Sequence, residues 1–346
     1  MLSRGFKIVS PKTFEIDIES VEINKDEAIV QIDYAAICKA DLRYYLGNRD
    51  KKILGLKYPM RLIHEATGIV LKDISGKFNV GDKVVLVPNI CDCQKCDFIY
   101  KNDNSLGVNY CNKAKFASSN YDGFSSEYIS YPISNLVKYN NEVLEDKIAV
   151  FSELISVCIS AIRRINLGNN IKIGIWGDGV VGYILANVLK NLNNNNKIIV
   201  IGVNESKLQK FDVDEVYLAK DINNNLDLDI AFECVGGKFA ASAINQIIEL
   251  VKFGADIVLT GVSECGAEIN TRRILEKGVS ITGSTRSTVA DFEKAITLLE
   301  NTKLMKQIEK LILSINMVEG ISDYYKAFEK EAYNDNLGKH IIKFKL

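Results

Sequence analysis

Apolar positions change rhythm once along this chain. Up to about residue 150 they come in short alternating runs, separated by Gly and Asn-Asp punctuation. Glu27 to Tyr34 and Ala66 to Leu71 read as strands, and Lys83 to Val87 as a short buried one. No long helix alternates with them, so this part is predicted to be an antiparallel, partly barrelled β unit. From Phe151 the spacing becomes helical, to Ile165. The continuous apolar runs Ile171 to Trp176, Lys197 to Val203, Ala231 to Val235, Asp256 to Thr260 and Ser280 to Gly283 then follow, with helical stretches such as Val180 to Leu192 between several of them. Fully apolar strands alternating with helices predict a doubly wound parallel sheet. The tail offers a helix, Tyr324 to Ala332, and a strand, Gly338 to Phe344, which we return to the first domain. The expected domains are 1–150 completed by about 306–346, and 151–305.

Composition narrows the class. The chain has 346 residues, 43 basic and 44 acidic, for a net charge of −1. That balance argues against a bulk electrostatic nucleic-acid binder. Apolar runs such as Ile198 to Val203 fall far short of the roughly 18 residues of a membrane span. The first residues lack the apolar core of a signal peptide, so the expected compartment is the cytoplasm. There, the eight cysteines are metal ligands or buried apolar groups rather than disulfides.

Gly177-Asp178-Gly179-Val180-Val181-Gly182 matches G-x-G-x-x-G between an apolar strand and a helix. Gly177 permits the tight turn, Gly179 lets backbone approach a pyrophosphate, and Gly182 lets the helix pack on the strand. Val180 and Val181 open the helix whose N-terminus faces the anion. Where an NAD site carries an acid for the ribose, about 20 residues on, this chain has Gly202, followed by Ser206 and Lys207. Glycine there is expected to leave room for a 2′-phosphate, with Ser206 and Lys207 as donors, so NADP(H) is the expected cofactor.

Only two histidines exist, His64 and His340. Cys38, His64 and Glu65 make a thiolate, imidazole and carboxylate set that suits zinc with one open position. Cys91, Cys93, Cys96 and Cys111 crowd into 21 residues and suggest a second, structural zinc, although their spacing is irregular.

Ala36 to Arg43, His64 to Gly68, Gly81 to Val84, Ala231 to Gly237 and Ile257 to Gly261 together resemble the zinc-dependent medium-chain dehydrogenases, in order along nearly the whole chain. The resemblance implies a Rossmann domain and a GroES-like, mainly antiparallel β catalytic domain. It implies Cys38 and His64 as catalytic zinc ligands and Glu65 as an alternating or supporting one. It also places Glu153 as a carboxylate beside the metal and Asp41 as a support of the ligand loop. The family's Ser or Thr proton relay is replaced by Ala40, leaving water, Glu65 or a tyrosine such as Tyr45. Asp41 to Asp50, Glu153 to Val157, Ala161 to Arg164, Asn270 to Arg272 and Gly283 to Ser287 are most similar to ribulose-5-phosphate reductases (ribitol-5-phosphate dehydrogenases) of teichoic-acid and capsule pathways.

That subgroup implies reduction of ribulose 5-phosphate with NADPH, a homo-oligomer, and coupling to a cytidylyltransferase that forms CDP-ribitol. Arginine suits the substrate phosphate; the candidates are Arg43, Arg49 and Arg286, with Arg163, Arg164 and Arg272 behind them. Two other readings stay open: a dehydrogenase of a neutral polyol or alcohol, and a zinc- and nucleotide-binding protein without turnover.

Overall fold

The computed structural model describes residues 1–91, 93, 106–222 and 226–346, and its contacts divide into two compact units. The first comprises 1–156 and 287–346, the second 157–286. The junctions differ from the expected 150/151 and 305/306: helices Val289–Leu299 and Thr302–Glu309 belong to the first unit, not to the second. The helix read as Phe151 to Ile165 is Ser152–Ile162.

In the first unit, Leu2–Ser10 and Thr13–Ser20 form a hairpin that Met60–Arg61 joins. The larger sheet runs Leu136–Lys138, Lys83–Leu86, Glu65–Asp73, Glu27–Ala36, Lys339–Phe344, Ile312–Val318, and Tyr128–Pro132 also pairs with Glu27–Ala36. Glu27–Ala36 therefore has three partner strands, which explains why Ala28, Val30, Ile32, Ala35 and Ala36 are all buried. Ile312–Val318 and Lys339–Phe344 pair in parallel, and the helix Ile321–Ala332 lies between them in sequence. That helix turns Tyr324 and Phe328, four residues apart on one face, into the core. There Phe14 meets the rings of Tyr324 at 4.7 Å, Phe328 at 4.9 Å and Tyr45 at 5.3 Å.

The second unit is a six-stranded parallel sheet in the order Glu215–Leu218, Lys197–Gly202, Lys172–Trp176, Leu228–Glu233, Val251–Leu259, Ser280–Gly283. Strand order reverses between Lys172–Trp176 and Leu228–Glu233, the position at which such sheets bind nucleotides. Helices cover the sheet, so Ile173, Ile175, Ile198, Val200, Phe232 and Val258 are fully buried. Among the described residues no helix is long and apolar enough to cross a membrane.

Candidate active site

The metal donors stand where two strands of the first unit meet. Cys38 follows Glu27–Ala36 and caps the helix Lys39–Tyr45. Glu65 opens the strand Glu65–Asp73, directly opposite Ala36, and His64 immediately precedes it. Asp41, fully buried, ties these segments together. Its Oδ2 accepts from the Cys38 amide at 2.9 Å and its Oδ1 from the Ile63 amide at 3.1 Å and from the Ser118 hydroxyl. Ile63 has φ +72°, a conformation costly for a β-branched residue. Gly123 makes room for that segment: a Cβ there would stand 2.3–2.4 Å from the Leu62 and Ile63 carbonyl oxygens.

One donor atom each from Cys38, His64 and Glu65 lies within 4.8 Å of the others. His64 and Glu65 are buried. His64 Nδ1 is 3.4 Å from Asp41 Oδ1, which leaves Nε2 for a ligand role. Burial works against a charged His64, yet Asp41 and the Cys38 sulfur outweigh it and raise its pKa well above the ordinary value. The set thus favours a cation, and its sulfur, nitrogen and oxygen donors fit zinc.

Lys339 donates from Nζ to both oxygens of Glu65, at 2.5 and 2.6 Å, with both side chains buried. Glu153, in the first turn of Ser152–Ile162, is buried near the same groups. Burial, with the charges of Glu65 and Asp41, raises its pKa to about 7 against the opposing pull of His64 and Lys339. Tyr45 is not a free proton relay: its hydroxyl donates to Glu329, and burial together with that carboxylate raises its pKa.

In the second unit the fingerprint glycines do distinct work. Gly177 has φ +133°, and a Cβ on Gly182 would stand 2.0 Å from the Gly177 oxygen. Nothing lies within 4 Å of a Cβ position on Gly179, so the face a pyrophosphate would approach is open. Val180 and Val181 begin the helix Val180–Leu192. Gly202 has no room for a side chain of its own. A Cβ there would stand 2.6 Å from Asp178 Cβ, because Asp178 Oδ2 accepts from the Val203 and Asn204 amides, both at 2.7 Å. Ser206 and Lys207 lie on the short helix Glu205–Leu208, capped by Asn204. Glu233, buried, accepts from the amides of Val235, Gly236 and Gly261 and so joins the loops after two strands of this sheet.

The sequence profile of the alcohol dehydrogenase GroES-like domain matches residues 24–141, and that of the zinc-binding dehydrogenase domain matches 180–301. Ribulose-5-phosphate reductase 1 of Staphylococcus aureus (strain NCTC 8325 / PS 47) is 38% identical, with 99% of each chain covered. The ribulose-5-phosphate reductase of Bacillus spizizenii is 35% identical over the full length of both. The crystal structure of S. aureus TarJ in complex with NADPH superposes with a TM-score of 0.87 at 34% identity, covering both chains completely.

The chain belongs to the zinc-binding dehydrogenase family.

In this zinc-binding dehydrogenase the arginine candidates separate. Arg49 lays its guanidinium over the Tyr44 ring, 4.3 Å from the centroid. Its Nε is buried without a hydrogen-bond partner. Arg272 is spent on Glu276 on an exposed helix face, and Arg163 donates to Ser160. Arg164 stands just past the helix Ser152–Ile162. Arg43 lies in the helix Lys39–Tyr45, and Arg286 has φ +59°. Of the four lobe cysteines, Cys91, Cys93 and Cys111 pack in one small cluster, while Cys96 lies outside the described residues. Burial and the neighbouring Cys111 push the Cys91 thiol up to about 11.

Proposed function

We propose that this chain reduces D-ribulose 5-phosphate to D-ribitol 5-phosphate with NADPH, feeding ribitol into teichoic-acid or capsule synthesis. The observation that carries the reading is the Cys38, His64 and Glu65 set, with His64 and Glu65 buried and Cys38 half-buried. Zinc held there would supply Lewis acidity to the C2 carbonyl, and NADPH the hydride. The chain's own residues do the rest. Asp41 keeps a carboxylate 3.4 Å from His64 Nδ1. Lys339 holds Glu65 in place. Glu153 keeps a proton near neutral pH beside the donor set, where Ala40 offers no hydroxyl.

Arg49 favours a phosphorylated over a neutral polyol. It is a cation with no carboxylate partner among the described residues, held over the Tyr44 ring, and guanidinium groups suit phosphate oxygens. Arg43, in the same unit, is a further candidate for that phosphate, and Arg286 is a candidate by its residue type. Gly177, Gly179, Val180, Val181 and Gly182 take the pyrophosphate in this reading, with Ser206 and Lys207 towards the ribose. Cys91, Cys93, Cys96 and Cys111 hold a second zinc. The enzyme works in the cytoplasm as a homo-oligomer and passes its product to a cytidylyltransferase.

The test is NADPH oxidation with ribulose 5-phosphate, ribulose and other pentulose phosphates, with NADH in parallel. Activity confined to unphosphorylated substrates would overturn the phosphate reading. Zinc bound without turnover of any of them would favour a non-catalytic protein.

A further inference from the structure

Asn89 is a buried amide whose side chain has no hydrogen-bond partner among the described residues. It is 4% exposed, and neither Oδ1 nor Nδ2 makes a hydrogen bond. A primary amide brings two donors and an acceptor, and leaving them unmet in the interior is costly. The backbone around it, by contrast, is well tied. Asn135 donates from Nδ2 to the Asn89 oxygen at 2.8 Å and to the Val87 oxygen at 3.1 Å, and the Ala117 amide donates to the Pro88 oxygen at 3.0 Å. Asn89 is therefore held in place by its main chain while its side chain is left unsatisfied.

Its location gives the orphaned amide a meaning. Asn89 lies directly opposite Phe116 in the antiparallel pair Asn89–Ile90 with Lys115–Phe116. Directly opposite residues of such a pair project from the same face. The Phe116 ring in turn stands 5.5 Å from the His64 imidazole, centroid to centroid. The amide thus sits on the Phe116 side of the metal donors, within the first unit.

We infer that Asn89 binds a hydroxyl group of the substrate beside the metal site and helps to set which ketose phosphate is accepted. The inference rests on the proposed reductase reading. A neutral group that both donates and accepts matches a hydroxyl, which does the same, whereas a phosphate would call for cationic donors. Ribulose 5-phosphate carries hydroxyls on C1 and C3, on either side of the carbonyl, and either one would satisfy the amide.

The test compares wild type with Asn89→Leu, which keeps the volume and removes the polar atoms, on ribulose 5-phosphate and its 1-deoxy and 3-deoxy analogues. The variant should lose roughly ten- to a hundredfold in kcat/KM on the parent substrate. It should keep its zinc content and NADPH affinity, and its melting temperature should hold or rise, because an unpaired polar group has been removed. For the one analogue that lacks the contacted hydroxyl, wild type and variant should be equal. A purely structural role predicts no such pairing. If the leucine variant does not fold, Asn89→Ala carries the same comparison. An active wild type whose variant keeps kcat/KM within about twofold, or loses equally on all three substrates, overturns the assignment of Asn89 alone. A wild type inactive on ribulose 5-phosphate overturns the parent reading and this inference with it.

Discussion

Replacing Lys339 with methionine should destabilise the metal-free protein far more than most single substitutions. Lys339 Nζ lies 2.5 and 2.6 Å from the two oxygens of Glu65, and the side chains are 7% and 0% exposed. Taking away one partner of such a pair leaves a buried charge uncompensated, at a cost of about 3–5 kcal/mol. That is roughly two to three and a half decades in the unfolding equilibrium. For a unit of about this size it lowers the melting temperature by roughly 6–20 °C. Two further measurements isolate the cause. Glu65→Gln combined with Lys339→Met removes both charges and should recover most of the loss. Zinc places a cation back beside Glu65, so its addition should raise the melting temperature of Lys339→Met more than that of wild type. The assay is thermal unfolding of chelated and zinc-loaded protein. A chelated Lys339→Met protein melting within about 2 °C of wild type would refute the reasoning.

Cys38→Ser should lose the catalytic zinc and with it all reductase activity, since a hydroxyl is a far poorer zinc ligand than a thiolate. Metal analysis reads this directly, and about two zinc ions per wild-type chain would support the second site at Cys91, Cys93, Cys96 and Cys111, whereas one would count against it. Gly202→Asp, met by Asp178 at 2.6 Å, should weaken NADPH and NADH alike in fluorescence titrations. Adding Asp178→Gly should restore binding and tilt it towards NADH; a single variant that already prefers NADH would contradict this. Arg49→Ala should cost roughly one to two decades in kcat/KM on ribulose 5-phosphate, the worth of a charge-assisted hydrogen bond. Equal losses on ribulose would make Arg49 structural.

Part of this architecture was legible because its signals are local. Five of the six parallel strands of the second unit overlap short, mainly apolar runs, and the glycine fingerprint sits between one of them and its helix; the edge strand Glu215–Leu218 carries no such run. The metal donors stood out because His64 is one of only two histidines and is followed by Glu65. The signals that were missed are long-range. Lys339 reaches Glu65 across 274 positions, and only the register Ile341 to Ala36 to Glu65 brings them together. A lysine at the start of Lys339–Phe344 looks like an ordinary edge residue until that strand is known to be internal. Asp178 reads as a filler of the fingerprint, and its hold on the Val203 and Asn204 amides follows from strand pairing that no local pattern encodes. The hairpin Leu2–Ser10 with Thr13–Ser20 carries a weak apolar signal because five of the eight residues of its second strand are exposed. The expected domain limit near 305 lies beyond the observed one at 286/287 because helices 289–299 and 302–309 continue the helical rhythm of the preceding segment while packing with the first unit.

The interrupted course of the first unit dictates an order of events at the ribosome. Residues 157–286 form a contiguous sheet with all its strands in hand by Gly283, and can fold while the remainder is still being made. The first unit cannot close at that stage, because Lys339–Phe344 belongs in the middle of its sheet, between Glu27–Ala36 and Ile312–Val318. Until that strand emerges, the flank of Glu27–Ala36 that it pairs with stays open and Glu65 lacks its counter-charge. Nascent chains therefore expose an unpaired strand edge for the time needed to translate most of the sequence, and chaperone capture should concentrate in that interval. Early truncations near the C-terminus would prolong it indefinitely.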